Sequence, residues 1–244
     1  MTLDLKSAQV AADLCGNSCQ LILVSVYLFG LIQDFVGMQG KDIEILTIFI
    51  IIISNHKDFK KMGQQYTELS EKHIQFIASQ KLYFVGTATA NSKVNISPKG
   101  MDSLRVLDNK TIAWLNVTGS GNETAAHVQT HPRMTVMFAA FEGNPMILRI
   151  YGKARAIHHN DSEWSRLYAL FPPIAGARQI FSVAIDMVQT SCGMAVPFFE
   201  YAGEREQLSD WAQKKGETGI KAYWEEKNQS SLDGIPTHIL SKNS

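Results

Sequence analysis

Residues 111–141 read TIAWLNVTGSGNETAAHVQTHPRMTVMFAAF, and the fold follows from how this stretch divides. Residues 111–117 are rich in β-branched and aromatic side chains and read as a strand. Gly119, Ser120 and Gly121 interrupt it. Asn122 then suits a helix cap, with Glu123 as the acidic residue of the first turn. A second strand signal opens at Met134 and runs to Phe141.

Outward from this centre the same strand chemistry returns at residues 82–90, 93–97, 146–157 and 181–189. Asn91 with Ser92, Asp108 with Asn109, and Gly143 to Pro145 supply turn residues between neighbours. Such short links imply antiparallel hairpins. Six strands of this kind avoid bare edges most economically by closing, or nearly closing, into a barrel. Gly152, inside a strand signal, marks a bulge or bend. Helical signals fall at 67–80 with Thr67 as cap, at 162–170 before Pro172 and Pro173, and at 207–215 and 217–227, joined at Gly216. The expected fold is mainly β (α+β), a six-stranded antiparallel barrel with peripheral helices.

A chain of 244 residues accommodates one such domain and an extension. Residues 1–61 differ in character, with apolar runs at 21–32 and 45–53. Both fall short of the roughly 18 to 20 residues that span a bilayer, so no stable membrane span is expected. This hydrophobic extension is either a packing or anchoring segment or lies outside the natural protein. Met62 is read as the start of the domain, 62–244. The 23 basic and 23 acidic residues cancel, which gives no electrostatic reason to bind nucleic acid. Three cysteines, Cys15, Cys19 and Cys192, do not make a disulfide framework and point to a reducing, cytoplasmic setting.

Two segments carry candidate chemistry. In the first, Thr118 to Thr124, glycines admit close backbone approach and the amides at a helix start favour an anion. Thr118, Ser120 and Thr124 add hydroxyls, and Glu123 must face away. A Gly-Ser turn before an ordinary capped helix accounts for the same residues on local grounds. In the second, Ser97 ends a strand, Pro98 fixes the backbone, and Lys99 beside Gly100 projects an ammonium from a tight turn, with Arg105 following. Other groups fall short of a site. His158, His159 and Asp161 read as a solvated loop because no further ligand completes a metal set. Cys192 lacks a basic neighbour, and Trp211, Tyr223 and Trp224 suit anchors for terminal helices.

The succession SPKG, RVLDNKTIAWLNVTGSGNETAAH, HPRMTVMFAAF, ILRIYGKARAI, VQTSCGMAVPFFEYAGER and SLDGIP resembles the pyridoxamine 5'-phosphate oxidase-like family of FMN-binding split β-barrels. The resemblance covers residues 70–236. It implies a homodimer holding FMN at its interface. Ser97, Lys99, Ser120, Asn122 and Thr124 would contact the phosphate and ring. Thr118 and Gly119 would line the pocket, with Gly100 and Gly121 in the same two turns and Trp114 and Arg149 at core and rim. Two departures stand out. True oxidases carry a basic Ser-Arg-Lys where this chain has Asn122, Glu123 and Thr124, and they end in a basic, aromatic segment that differs from SLDGIPTHILSKNS. The likeness therefore falls on a branch whose members use FMN, the deazaflavin F420 or haem. The implied activity is hydride transfer to or from a small substrate, with reduced nicotinamide as donor. The alternative is a carrier that binds such a ligand without turnover.

Overall fold

The computed structural model describes residues 63–243. Residues 62–244 form one compact unit. The expectations for residues 1–61, including Cys15 and Cys19, lie outside the described residues. Among the described residues eight strands occur, in chain order β1 (Gln65–Tyr66), β2 (Tyr83–Thr87), β3 (Asn95–Lys99), β4 (Leu104–Asp108), β5 (Thr111–Val117), β6 (Arg133–Ala139), β7 (Ile147–Ile157) and β8 (Ala177–Ser191). Helices α1 (Glu71–Ser79), α2 (Glu123–Thr130), α3 (Trp164–Tyr168), α4 (Gln207–Lys227) and α5 (Ile239–Lys242) surround them.

The sheet is antiparallel throughout and runs β3-β2-β6-β7-β8-β5-β4, with β1 paired to β8. It is the expected split barrel, with β3 and β4 as its two edges. The split is bridged by a side chain of β2, the strand next to the β3 edge: Tyr83 shares a 2.8 Å hydrogen bond with Ser103, just before β4. Inside lie Val85, Ile112, Trp114, Val136, Phe138, Leu148, Ile150, Phe181 and Val183. Each comes from alternate positions of its strand, as a barrel interior requires.

The sequence expectation of six strands omitted β1 and β4. β4 is a short edge whose residues are all partly exposed until its last, so it shows no inside-outside alternation. Thr67 is not the cap of α1. Ser70 is, in a reciprocal box in which Ser70 Oγ accepts from the His73 N–H and His73 Nδ1 accepts from the Ser70 N–H. Gly216 does separate two helical halves, with φ 62° and ψ 176°. Among the described residues no helix is long and apolar enough to cross a membrane.

Gly152 sits where the register of β7 against β8 shifts between Tyr151 and Gly152. A methyl group there would collide with the Ala184 carbonyl and the Val183 side chain. Gly152→Ala is expected to destabilise the barrel by about 1–3 kcal/mol, read as a lower urea midpoint.

Candidate functional site at the polar end of the barrel

The inward face of edge strand β3 carries Asn95, Ser97 and Lys99, opposite Thr87, Val85 and Tyr83 of β2. Pro98 occupies the outward face, where an edge strand tolerates a missing N–H. Lys99 therefore lies within the strand rather than on a tight turn. The turn comes later, at Met101 and Asp102, both with positive φ. The Lys99 ammonium reaches across the split to sit 5.0 Å from the Trp114 ring, which stacks on Phe181 at 4.9 Å. Burial, reinforced by the positive charge of Arg178, pushes its pKa down to about 8.

Arg178 is the feature that sequence reasoning missed. The β5–β8 register passes from Asn116 opposite Gln179 to Val117 opposite Ala177, so Arg178 is an extra residue outside the ladder. Such a bulge re-aims a side chain. Here it sends a guanidinium inward, 2% exposed, to donate to Asn228 Oδ1 at 2.7 Å and to the Gly121 carbonyl at 3.0 Å. Burial lowers its pKa to about 9. Both partners are neutral, and among the described residues no carboxylate bonds to Arg178 or Lys99. Buried charges normally carry a counter-charge. Around them Arg178 Nε, Gln179 Nε2 and Asn122 Oδ1 are buried without partners.

The turn from β5 into α2 closes this end. Asn122 stands at the N-terminus of α2, but its side chain makes no cap bond. Its amide instead donates to the Asn228 carbonyl at 3.4 Å, which corrects the capping role expected for it. Thr118 also departs from expectation. It is 1% exposed, and its hydroxyl donates to the Gly176 carbonyl while accepting from Trp224 Nε1, both at 2.8 Å. Thr118 is thus a structural bolt, not a pocket wall. Gly119 is partly exposed, and Ser120 and Gly121 are exposed at the tip. Asn228, fully buried, holds them from behind by donating to the carbonyls of Gly119 and Ser120.

The two sequence segments do come together. Thr124 Oγ1 accepts from Asn95 Nδ2 at 3.3 Å, and Ser97 donates to Asn95 Oδ1 at 3.2 Å. Gly100 instead borders a separate cleft of about 340 Å³ between α1, β2 and β4, lined by Ile77, Tyr83, Ser103 and Phe138. Arg105 is unavailable as an anion ligand, because it forks onto Asp102 at 2.7 and 2.8 Å and bonds the Leu170 carbonyl. Glu123 faces away as required, accepting from the Leu232 N–H.

The remaining candidates are structural. His158 and His159 are not in a solvated loop. His158 is 3% exposed, bonded to Asn243, and lowered to about 4 first by burial and then by the charge of Lys242. His159 packs against Trp164 and Trp224. The Cys192 sulfur accepts from the Met194 N–H. Trp224 is buried as a helix anchor and Trp211 packs on Tyr223, while Trp114 is core and Arg149 donates to Ser191.

Residues 69–192 match the family model described as pyridoxamine 5'-phosphate oxidase. The pyridoxamine 5'-phosphate oxidase family protein ustO of Aspergillus flavus is 30% identical over 191 residues, covering 70% of this chain and 76% of that protein. Among solved structures, an FMN-binding protein from Syntrophomonas wolfei is 16% identical, covering 66% of this chain and 100% of its own at a TM-score of 0.38. The FAD binding protein from Mycobacterium smegmatis is 15% identical, covering 51% and 96% at a TM-score of 0.36. With half of its length matched by the family model and a relative this similar, the chain belongs to the pyridoxamine 5'-phosphate oxidase family.

Proposed function

We propose that this protein is an FMN-dependent oxidoreductase that acts as a cytoplasmic homodimer. The observation that carries the reading is a pair of cations near the start of a helix, Arg178 buried and Lys99 half-buried, to which no carboxylate among the described residues bonds. A phosphate monoester fits that vacancy of negative charge. It carries close to two charges at neutral pH and has several acceptor oxygens. Arg178 Nε and Gln179 Nε2 are unused donors of the kind it needs, and Ser97 and Thr124 add hydroxyls beside them. FMN, when bound, supplies the hydride chemistry at its ring. The chain's own residues hold the phosphate, exclude water through Trp114 and Phe181, and keep Lys99 poised where negative charge grows.

The resemblance of the SPKG and VTGSGNETAAH segments to the FMN-binding split-barrel family supports FMN over other phosphate esters. Asn122, Glu123 and Thr124 replace the basic triplet of the true oxidases, so the substrate is a small molecule other than pyridoxamine phosphate. Dimerisation accounts for the outer side of β3, where Val94 and Ile96 are 71% and 67% exposed on an edge strand. Ile96→Asp is expected to convert a dimer to a monomer in sedimentation analysis and to weaken FMN at least tenfold.

The direct test titrates the full chain with FMN and then adds reduced nicotinamide under argon. A bound flavin spectrum that bleaches supports the oxidoreductase. A bound flavin that never bleaches makes the protein a carrier, a Soret band in the purified protein replaces FMN with haem, and failure to take up FMN rejects the reading.

A further inference from the structure

His127 is fully buried in α2, yet its Nε2 has no hydrogen-bond partner. Its other nitrogen, Nδ1, lies 3.1 Å from the Thr87 hydroxyl. That contact fixes the ring plane and turns Nε2 toward two carboxylates. Glu123, one helical turn earlier, presents Oε2 at 4.0 Å, too far for a hydrogen bond. Asp233 arrives from the loop after α4, and one ligand atom from each of the three residues falls within 4.8 Å of the others. Glu123 is held in place because its second oxygen accepts from the Leu232 N–H at 2.9 Å. An unpartnered imidazole nitrogen converging with two anchored carboxylates is the pattern of a metal-ligand set whose outer contacts are already built.

The geometry points to a divalent transition-metal site formed by Glu123, His127 and Asp233, zinc being the ion that best suits it. One imidazole and two carboxylates give three ligands and two negative charges, which balance the ion, and solvent completes a tetrahedron. Ligand atoms roughly 2 Å from a common centre lie about 3.3 Å apart in a tetrahedron, so binding draws together three atoms that now lie within 4.8 Å of one another. A cation already marks the place: the Lys93 ammonium bonds Asp233 Oδ1 at 2.6 Å, and the Lys93 N–H bonds Oδ2 at 3.0 Å. Lys93 is largely exposed on a flexible stem, so the ion displaces its ammonium into solvent while the backbone contact stays. The site ties α2 to the loop around residues 229–237, which Gln129 also grips through the Pro236 carbonyl at 3.0 Å. The site does not depend on FMN being the cofactor.

The test is zinc binding by the full chain after removal of adventitious metal, by calorimetry and by the shift of the melting temperature. One high-affinity equivalent per chain is expected, with a melting temperature that rises with zinc. Asp233→Asn and Glu123→Gln, both at partly exposed carboxylates, should each weaken zinc at least tenfold. Lys93→Ala, which removes the competing ammonium, should tighten it. In the cobalt-loaded protein the visible spectrum should lack thiolate charge-transfer absorption. Equal affinities in the wild type and both carboxylate variants, a thiolate spectrum, or no stoichiometric binding would overturn the site.

Discussion

Lys99→Met is expected to lower FMN affinity by about 100-fold or more while making the ligand-free protein more stable. Both effects have one origin. The ammonium is held among Trp114, Arg178 and apolar walls without an anion, so in the free protein it costs folding energy. Removing it relieves that cost, and it also removes one of the two charges that a phosphate would neutralise. Between a folded pKa of about 8 and an ordinary value of 10.5, the native state binds fewer protons than the unfolded chain. Wild-type stability should therefore rise with pH across that window, by on the order of 3 kcal/mol at most. Partial exposure of Lys99 trims this figure. FMN affinity should fall over the same range as the ammonium deprotonates. Urea unfolding and fluorescence titration against pH check both, and a methionine variant that keeps the wild-type pH slope in both would remove Lys99 from the site.

Asn228→Ala is expected to cost about 3–5 kcal/mol, the largest loss from any single side chain of the tail. The substitution strips Arg178 of its 2.7 Å acceptor and frees the carbonyls of Gly119 and Ser120. A buried guanidinium left with one neutral partner is an uncompensated charge. The exposed neighbour Gln229, whose amide bonds only the Glu225 carbonyl, provides the control: Gln229→Ala should move the urea midpoint by little. If the two variants unfold together, Asn228 does not bear the role given to it.

The barrel was legible because its inward residues are apolar and β-branched at short, turn-separated intervals. Glycine also kept its meaning, at Gly152 and Gly216, whereas Pro98, read as fixing a turn, lies inside edge strand β3. What escaped reading depends on contacts distant in sequence. Arg178 precedes the strand signal at 181–189, and only the bulge against Asn116 turns it inward. His158 reads as loop until Asn243, 85 positions on, covers it. Thr118 reads as a ligand hydroxyl until Trp224 takes its lone pair, 106 positions away. Ser97, Lys99 and Thr124 were singled out because their pattern is local, whereas Asn95, which joins Ser97 to Thr124, was not.

The hold of Asn228 on the Gly119–Ser120 turn has a consequence for shortened chains. The family model matches residues 69–192 and the last described strand ends at Ser191, so the whole sheet precedes in sequence the Asn228 side chain that holds the turn and accepts from Arg178. A chain cut before Asn228 would keep all eight described strands but lack the acceptor for Arg178 and the donor to the Gly119 and Ser120 carbonyls. Under the proposed function, such a chain is expected to take up FMN more weakly than the full chain.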